Sequence, residues 1–178
     1  VLGFDSNIKQ ISELCKENDI ILIEDTCESL GSQTDKQNLG TFGLASSFSF
    51  YFGHHISTIE GGMVCTDDDH FADIIKMIRS HGWDRDLTKQ KKEQLRVKNS
   101  NSDIDNLYTF YYAGFNLRST DLQAFIGINQ LDKLPDIIQK RQTNYLLYRE
   151  LLNEKFWLPR LTADQNVVSN MGYPIILD

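Results

Sequence analysis

The stretch "DIILIEDT", Asp19–Thr26, decides the fold class. Its four consecutive apolar residues, 20–23, are typical of a strand that helices cover on both faces, which predicts a mostly parallel sheet. In an open sheet of this kind, ligands bind beyond the carboxyl ends of the strands. Asp25 lies at such an end, where a partly desolvated carboxylate needs a cationic or hydrogen-bonding partner. A helix cap or a turn after the strand is an equally good interpretation of Asp25 from its position alone.

The elements around this strand predict an α/β sandwich. Apolar spacing predicts a helix over residues 7–17. Short aromatic or apolar runs predict strands over 45–52 and 61–66. A second helix, capped at 67–68, should end at Gly82. Strands alternating with helices favour a mostly parallel sheet between helical layers. No GxGxxG motif follows a predicted strand, so the dinucleotide-binding fingerprint is missing.

The second half of the chain is predicted to be mostly helical. The polar, lysine-rich segment 86–105 has almost no apolar periodicity and indicates a surface loop, with a basic binding patch as the less common alternative. Helices are expected over 120–133, ending before Pro135, and over 135–156, where the length suggests a connector between domains.

Composition and charge exclude several classes of function. Acidic residues outnumber basic ones 25 to 18, and the net charge of −7 argues against binding to nucleic acid or to an anionic membrane surface. The three cysteines have neither disulfide-framework nor CxxC spacing, so we expect reduced thiols in a cytoplasmic protein. No apolar run reaches the roughly 20 residues that span a bilayer. Because the chain starts without methionine, we expect it to be a fragment of a longer protein.

Two adjacent histidines lie in "SFYFGHHISTIEGGMV", Ser49–Val64. Neighbouring side chains of a strand point to opposite faces, so His54 and His55 do not readily share one metal ion, and no metal site is expected. One of them could act as a general base, although a packed structural histidine is the commoner case. Three nearby serines, Ser46, Ser47 and Ser49, could bind a phosphate. Serines in strands, however, more often face solvent or form internal hydrogen bonds.

Four motifs in order resemble one enzyme family. They are "IEDTCESLGS" at 23–32, "LGTFG" at 39–43, "FSFYFGHHISTIEGGMVCTDD" at 48–68 and "GFNLRSTDLQAFIGINQLDKLP" at 114–135. Together they resemble the DegT/DnrJ/EryC1/StrS family of pyridoxal-phosphate-dependent, sugar-modifying enzymes. The resemblance implies the three-layer α/β sandwich of fold-type I, like aspartate aminotransferase. It also implies that 1–134 belong to the cofactor-binding large domain, 135–158 to a connecting helix and 159–178 to the start of a small domain.

His54 stands where this family usually has the lysine that holds the cofactor, six positions before Glu60. No lysine occurs between Lys36 and Lys76, so a shift of register does not supply one. A histidine here resembles the 3-dehydratases of the family. That likeness implies removal of the C3 hydroxyl of a 4-keto-6-deoxy nucleotide sugar, in dideoxysugar and lipopolysaccharide biosynthesis. His54 would be the base and glutamate the amino donor. An aminotransferase and a sugar-binding member without activity are the alternatives.

The resemblance also assigns the remaining site residues. Asp25 would pair with the pyridinium nitrogen of non-covalently bound pyridoxal or pyridoxamine 5'-phosphate, Glu28 would lie against its ring, and Ser49 would bind its phosphate. Asn116 would reach the cofactor of the neighbouring subunit, which implies a homodimer with a shared site. Three residues resemble the nucleotide-sugar side: His81, Arg85 and Arg118. Related dehydratases with an iron–sulfur cluster carry cysteines after the position of His81; none occurs here, so no cluster is expected.

Overall fold

Residues 1–98, 108–152 and 165–175 are described by a computed structural model. The chain divides into two units, the first formed by Val1–Cys65 with Thr120–Asp178 and the second by Thr66–Ser119. The helices, in chain order, are α1 (Ile8–Glu17), α2 (Asp69–Ile78), α3 (Lys89–Lys98), α4 (Asp121–Leu131) and α5 (Leu134–Leu152). The strands are β1 (Ile23–Asp25), β2 (Gln33–Thr34), β3 (Gln37–Asn38), β4 (Ala45–Ser49), β5 (Gly62–Cys65) and β6 (Gln165–Val167).

The first unit contains two small sheets. In the first sheet the strand order is β1-β4-β5, with β1 parallel to β4 and β4 antiparallel to β5. The second sheet, β3-β2-β6, is antiparallel. Helices and strands combine as the α/β prediction requires, but among the described strands only one of the four pairs is parallel, the pair that carries Asp25. Tyr145 of α5 is fully buried and packs against the rings of Phe4 and Tyr173.

The predicted burial of the first strand on both faces is wrong for this chain. Ile20, Ile21 and Ile23 are 58%, 72% and 59% exposed, and β1 begins only at Ile23. Within the described residues β1 is an edge strand of its sheet, and its one buried side chain is that of Glu24. An apolar run identifies a strand but does not show which of its faces are covered.

The second unit begins with a helix that local sequence signals define well. The Asp68 side chain caps α2 by accepting the Phe71 N–H at 2.7 Å. After the helix, Gly82 adopts φ +84° and donates its N–H to the Met77 carbonyl at 2.8 Å. The predicted start of this helix is confirmed, whereas its last helical residue is Ile78, four residues before Gly82.

The predicted surface loop over 86–105 is wrong for its central part. A short 3-10 helix occupies Asp84–Asp86, and α3 follows at Lys89–Lys98. Lysine, glutamine, glutamate, leucine and arginine have high intrinsic helix propensity, so this segment forms a helix without an apolar stripe. Lys91 also forms an ion pair with Asp73 of α2 at 3.4 Å. Positions 99–105 of the predicted loop lie outside the described residues.

The two later helices agree with the prediction except at their ends. Thr120 and Gln123 form a capping box at the start of α4, which ends at Leu131 rather than 133. Pro135 lies in the first turn of α5, where a proline is tolerated, and the predicted end at 156 falls outside the described residues. The proposed domain limits at 134 and 158 stay a prediction. None of the described helices is both long and apolar enough to cross a membrane.

Candidate active site

Two adjacent carboxylates at the end of β1 have different surroundings. Glu24 is only 5% exposed, and its carboxylate accepts the N–H groups of Gly40, Phe42 and Gly43 at 2.8, 2.6 and 3.0 Å. These bonds hold the glycine-containing turn "LGTFG" against the sheet. Glu24 is therefore a structural anchor, with its acceptor capacity used by the backbone.

Asp25, the next residue, is exposed. Its Oδ1 accepts the Cys27 N–H at 3.1 Å and the Ser47 hydroxyl at 3.2 Å. Hydrogen bonds from the side chain and backbone of Cys27 contribute most to a lowered pKa of the Asp25 carboxyl, and the bond from Ser47 adds to it. Burial acts in the opposite direction but is outweighed. At neutral pH, Asp25 is thus an anion at the carboxyl end of a parallel strand.

The sheet has a face suited to a flat ligand. Asp25 lies opposite Ser47 in the parallel register, and Ser49 follows on the same face of β4 because side chains alternate along a strand. Val64 of β5 lies opposite Ser47 and is exposed, like Ile23 of β1. The Ser49 hydroxyl accepts the Tyr51 N–H at 3.3 Å. An anion, two hydroxyl groups and an exposed apolar surface therefore share this face.

The opposite face of β4 is used for packing. Ser46 and Phe48 approach Gly40, where an added Cβ would lie 3.1 Å from the Ser46 hydroxyl and 2.9 Å from the Phe48 ring. Gly40 also has φ +92°, which favours glycine. Among the three serines singled out from the sequence, Ser46 is thus directed to the interior, whereas Ser47 and Ser49 lie on the face of Asp25.

His54 lies in the loop between β4 and β5. Its backbone N–H donates to the Tyr51 carbonyl at 3.0 Å, and its ring lies edge-on to the Tyr51 ring at 6.2 Å between centroids. The ring nitrogen Nδ1 is buried and has no hydrogen-bond partner within the described part of the chain. Buried polar atoms are normally paired, so this nitrogen is available for a group that is not among those residues.

His55 has a structural role that its position in the sequence does not reveal. It is 4% exposed, and its Nε2 lies 2.8 Å from the Ser169 carbonyl oxygen. Burial is the main cause that lowers the pKa of His55 to about 4, so the ring is neutral at pH 7 and Nε2–H donates to that carbonyl.

Glu28, also on this unit, accepts the Leu2 N–H at 2.8 Å.

The second unit brings together two of the predicted substrate-side residues, His81 and Arg118, and the predicted cofactor-side residue Asn116. His81 donates its backbone N–H to the Phe115 carbonyl at 2.7 Å, and the preceding residue pairs with Asn116 in a β-bridge. The Asn116 Oδ1 accepts the Arg118 Nε–H at 3.4 Å. All three side chains are exposed. Adjacent segments thus present an imidazole, an amide and a guanidinium.

The close approach of these segments depends on a glycine. A Cβ on Gly82 would lie 1.7 Å from the Tyr112 carbonyl oxygen, and Gly82 also has a positive φ. Arg85 lies just beyond, with its guanidinium carbon 5.5 Å from the centroid of the Trp83 ring, and Trp83 stacks on Tyr108. Arg85 therefore packs over an aromatic ring.

Neither a cluster of metal ligands nor a disulfide occurs in the part of the chain that the structure describes. No three histidine, cysteine, aspartate or glutamate residues within the described ranges are grouped to hold a metal ion. No disulfide joins Cys15, Cys27 or Cys65.

Comparison with known proteins identifies the family. The model of the DegT/DnrJ/EryC1/StrS aminotransferase family matches residues 1–178. GDP-4-keto-6-deoxy-D-mannose 3-dehydratase from Yersinia pseudotuberculosis is 33% identical over 99% of this chain and 44% of its own length. The enzyme of the same name from Escherichia coli O55:H7 is 40% identical over 81% of this chain and 37% of its own.

A solved structure shows the same fold. GDP-4-keto-6-deoxymannose-3-dehydratase with a trapped PLP-glutamate geminal diamine superposes with a TM-score of 0.83 at 34% identity. The superposition covers 100% of this chain and 45% of that protein, so this chain spans less than half the length of its relatives. The fold is that of the PLP-dependent aminotransferases, as predicted. Because the family model matches residues 1–178, the chain belongs to the DegT/DnrJ/EryC1/StrS aminotransferase family.

Proposed function

We propose that the complete protein is a 3-dehydratase that removes the C3 hydroxyl of a nucleotide-linked 4-keto-6-deoxy sugar. It would depend on pyridoxal or pyridoxamine 5'-phosphate, with glutamate as amino donor, and serve dideoxysugar and lipopolysaccharide biosynthesis. The names of the relatives support this reaction and favour guanosine diphosphate as the nucleotide. One observation carries the proposal: His54, with a buried ring nitrogen that has no partner among the described residues, stands where the family usually has its lysine.

The face formed by β1, β4 and β5 fits the cofactor. Asp25 provides an exposed anion for a protonated ring nitrogen, and the Ser49 hydroxyl on the same face can donate to a phosphate oxygen. The exposed side chains of Ile23 and Val64 offer an apolar surface for a planar ring. When bound, the cofactor would supply an amino group for the sugar ketone and an electron sink for loss of the C3 hydroxyl.

His54 would provide the proton transfers of the reaction. A neutral imidazole has one nitrogen without hydrogen, and this atom can take up a proton as a general base and return it later. Unlike a lysine amine, imidazole does not form a stable imine with an aldehyde. His54 therefore keeps base function without a covalent tether, which favours dehydration over complete transfer of the amino group.

The remaining roles follow from the family resemblance. Glu28 would lie beside the cofactor ring, and Asn116 would reach the cofactor of a partner subunit in a homodimer. Three exposed residues of the second unit would bind the nucleotide sugar: His81, Arg85 and Arg118. We place the protein in the cytoplasm because its three cysteines have neither disulfide-framework nor CxxC spacing.

Product analysis distinguishes this function from its alternatives. The complete protein is incubated with pyridoxal 5'-phosphate, glutamate and a panel of 4-keto-6-deoxy nucleotide sugars, and the sugar product is identified by NMR. A 4-keto-3,6-dideoxy sugar is expected. A 4-amino sugar would instead establish an aminotransferase. Tight sugar binding without any product would establish a binding protein without activity.

A further inference from the structure

Asp25 is held by a chain of polar groups that the family resemblance does not assign. The Ser47 hydroxyl donates to Asp25 Oδ1 at 3.2 Å, and the Cys27 thiol lies 3.7 Å from the same hydroxyl oxygen. The Cys27 backbone N–H donates to Oδ1 as well, at 3.1 Å. The Ser47 side chain from the neighbouring strand β4 and the Cys27 N–H from the turn after β1 thus both donate to one carboxylate oxygen.

The direction of these hydrogen bonds can be assigned from donor supply. Ser47 has one hydroxyl hydrogen, and an ionised carboxylate can only accept, so that hydrogen points to Asp25. The thiol hydrogen of Cys27 then has two acceptors, the Ser47 hydroxyl oxygen and the Asp25 carboxylate. Burial is the largest cause that raises the pKa of the Cys27 thiol, which keeps it protonated at neutral pH. Ser47 and Cys27 therefore both act as side-chain donors toward Asp25.

The backbone fixes Ser47 in this position. Asp25 and Ser47 are direct partners in the parallel register of β1 and β4. The Ser47 carbonyl oxygen accepts the Thr26 N–H at 3.0 Å and the Thr26 hydroxyl at 2.7 Å. Because these contacts hold the backbone of Ser47 in register, its hydroxyl lies within hydrogen-bonding reach of Asp25.

We infer that Ser47 is a positioning residue, which holds the Asp25 carboxylate anionic and oriented toward the ring nitrogen of the bound cofactor, with Cys27 as a second support. The inference rests on the proposed function, in which Asp25 pairs with that nitrogen. Ser47 acts through Asp25 and contacts no reacting atom. It differs from Ser49, for which a direct bond to the phosphate is proposed.

The test compares two ligands that differ only at the ring nitrogen. Dissociation constants of the complete protein are measured for pyridoxamine 5'-phosphate and for its 1-deaza analogue, which has carbon in place of that nitrogen. Ser47→Ala should weaken binding of the natural cofactor about tenfold, as expected for loss of a hydrogen bond to a charged group, and leave the analogue unchanged. Ser47→Thr keeps the hydroxyl and should restore the preference for nitrogen.

Ser46→Ala is the matched control, because Ser46 is the neighbouring serine of β4 and its buried hydroxyl has no partner among the described residues. It should leave both constants unchanged. Cys27→Ala keeps the backbone donor but removes the thiol, so it should also weaken binding of the natural cofactor and leave binding of the analogue unchanged. A second readout needs no cofactor: in ¹³C NMR titrations, Ser47→Ala should raise the pKa of the Asp25 carboxyl.

The outcomes separate this inference from the proposed function. Equal weakening of both ligands by Ser47→Ala, or no weakening of either, would overturn the positioning role while the proposed function stands. If the unmodified protein itself does not prefer the natural cofactor to the analogue, the pairing of Asp25 with the ring nitrogen fails, and the role of Ser47 fails with it.

Discussion

The Nε2 atom of His55 lies 2.8 Å from the carbonyl oxygen of Ser169, a residue 114 positions later in the chain. Ser169 is fully buried and donates its own N–H to the Ser32 hydroxyl at 3.0 Å. The loop that carries His54 is thereby fixed to a distant segment of the same unit. His55 supports the position of its neighbour without a direct part in the proposed chemistry.

This buried histidine should make stability depend on pH. Burial lowers the folded-state pKa of His55 from 6.5 to about 4, and the nearby Arg141 and His54 charges act in the same direction. The unfolded chain therefore binds a proton at a higher pH than the folded chain, so stability should fall as pH decreases from about 6.5 to about 4. The loss attributable to His55 is on the order of 3 kcal/mol at most.

Denaturant unfolding at several pH values measures this effect. His55→Gln can still donate to Ser169 but does not titrate, so its stability should fall less between pH 7 and pH 4.5 than that of the unmodified protein. His70, which is exposed on α2, provides the control variant His70→Gln. An identical pH dependence for His55→Gln and the unmodified protein would contradict this account.

The two adjacent carboxylates should respond differently to neutral replacement. Asp25→Asn should lower kcat about 100-fold or more with little change in the free energy of unfolding, because the exposed carboxylate acts on the cofactor. Glu24→Gln should instead cost about 1–3 kcal/mol of stability, since the amide puts an N–H₂ group among three backbone donors. Steady-state kinetics and denaturant unfolding of both variants measure turnover and the free energy of unfolding, and so test the two predictions. Unchanged turnover in Asp25→Asn would refute its proposed role.

Replacement of His54 by lysine should restore the covalent link that the family usually forms. We expect His54→Lys to hold pyridoxal 5'-phosphate through a bond that borohydride makes permanent, detectable by absorbance and by mass spectrometry, and to lose dehydration. His54→Asn, which has no amine, should lose dehydration without a trapped adduct. Dehydration retained in His54→Lys with nothing trapped would show that His54 is not the base.

Position 82, where Gly82 allows two segments of the chain to approach closely, should not tolerate a side chain. A Cβ would lie 1.7 Å from the Tyr112 carbonyl oxygen at a positive φ, so Gly82→Ala should lower stability by at least about 2 kcal/mol. At Gly53 the nearest atom to an added Cβ is 3.8 Å away, and Gly53→Ala should have little effect on the free energy of unfolding. Thermal unfolding of the two variants tests the contrast, and equal stabilities would contradict it.

Elements with local signals could be predicted from the sequence. The Asp68 cap of α2 and the Thr120 capping box of α4 use residues within three positions of each other, so the sequence shows them directly. Helix α3 cannot be predicted from periodicity, because it has helix propensity without an apolar stripe. The exposure of Ile20 and Ile21 cannot be predicted either, because burial depends on which other elements cover a strand.

Contacts within the candidate site also depend on parts of the chain that are distant in sequence. Ser47 meets Asp25 across 22 residues through strand register, and His55 meets Ser169 across 114. No pattern near either residue indicates its partner. Motif resemblance identified Asp25 and His54 as candidates, whereas the groups that hold Asp25 and His55 in place required coordinates.

The fate of the glutamate nitrogen tests the central claim, that His54 in place of lysine makes this protein a dehydratase. The complete protein is supplied with pyridoxal 5'-phosphate, glutamate and a GDP-linked 4-keto-6-deoxy sugar, and free ammonia and 2-oxoglutarate are measured over many turnovers. Dehydration releases the amino group, so ammonia and 2-oxoglutarate should accumulate in equal amounts. Accumulation of 2-oxoglutarate without ammonia would mean that the nitrogen stays on the sugar, and would contradict the claim.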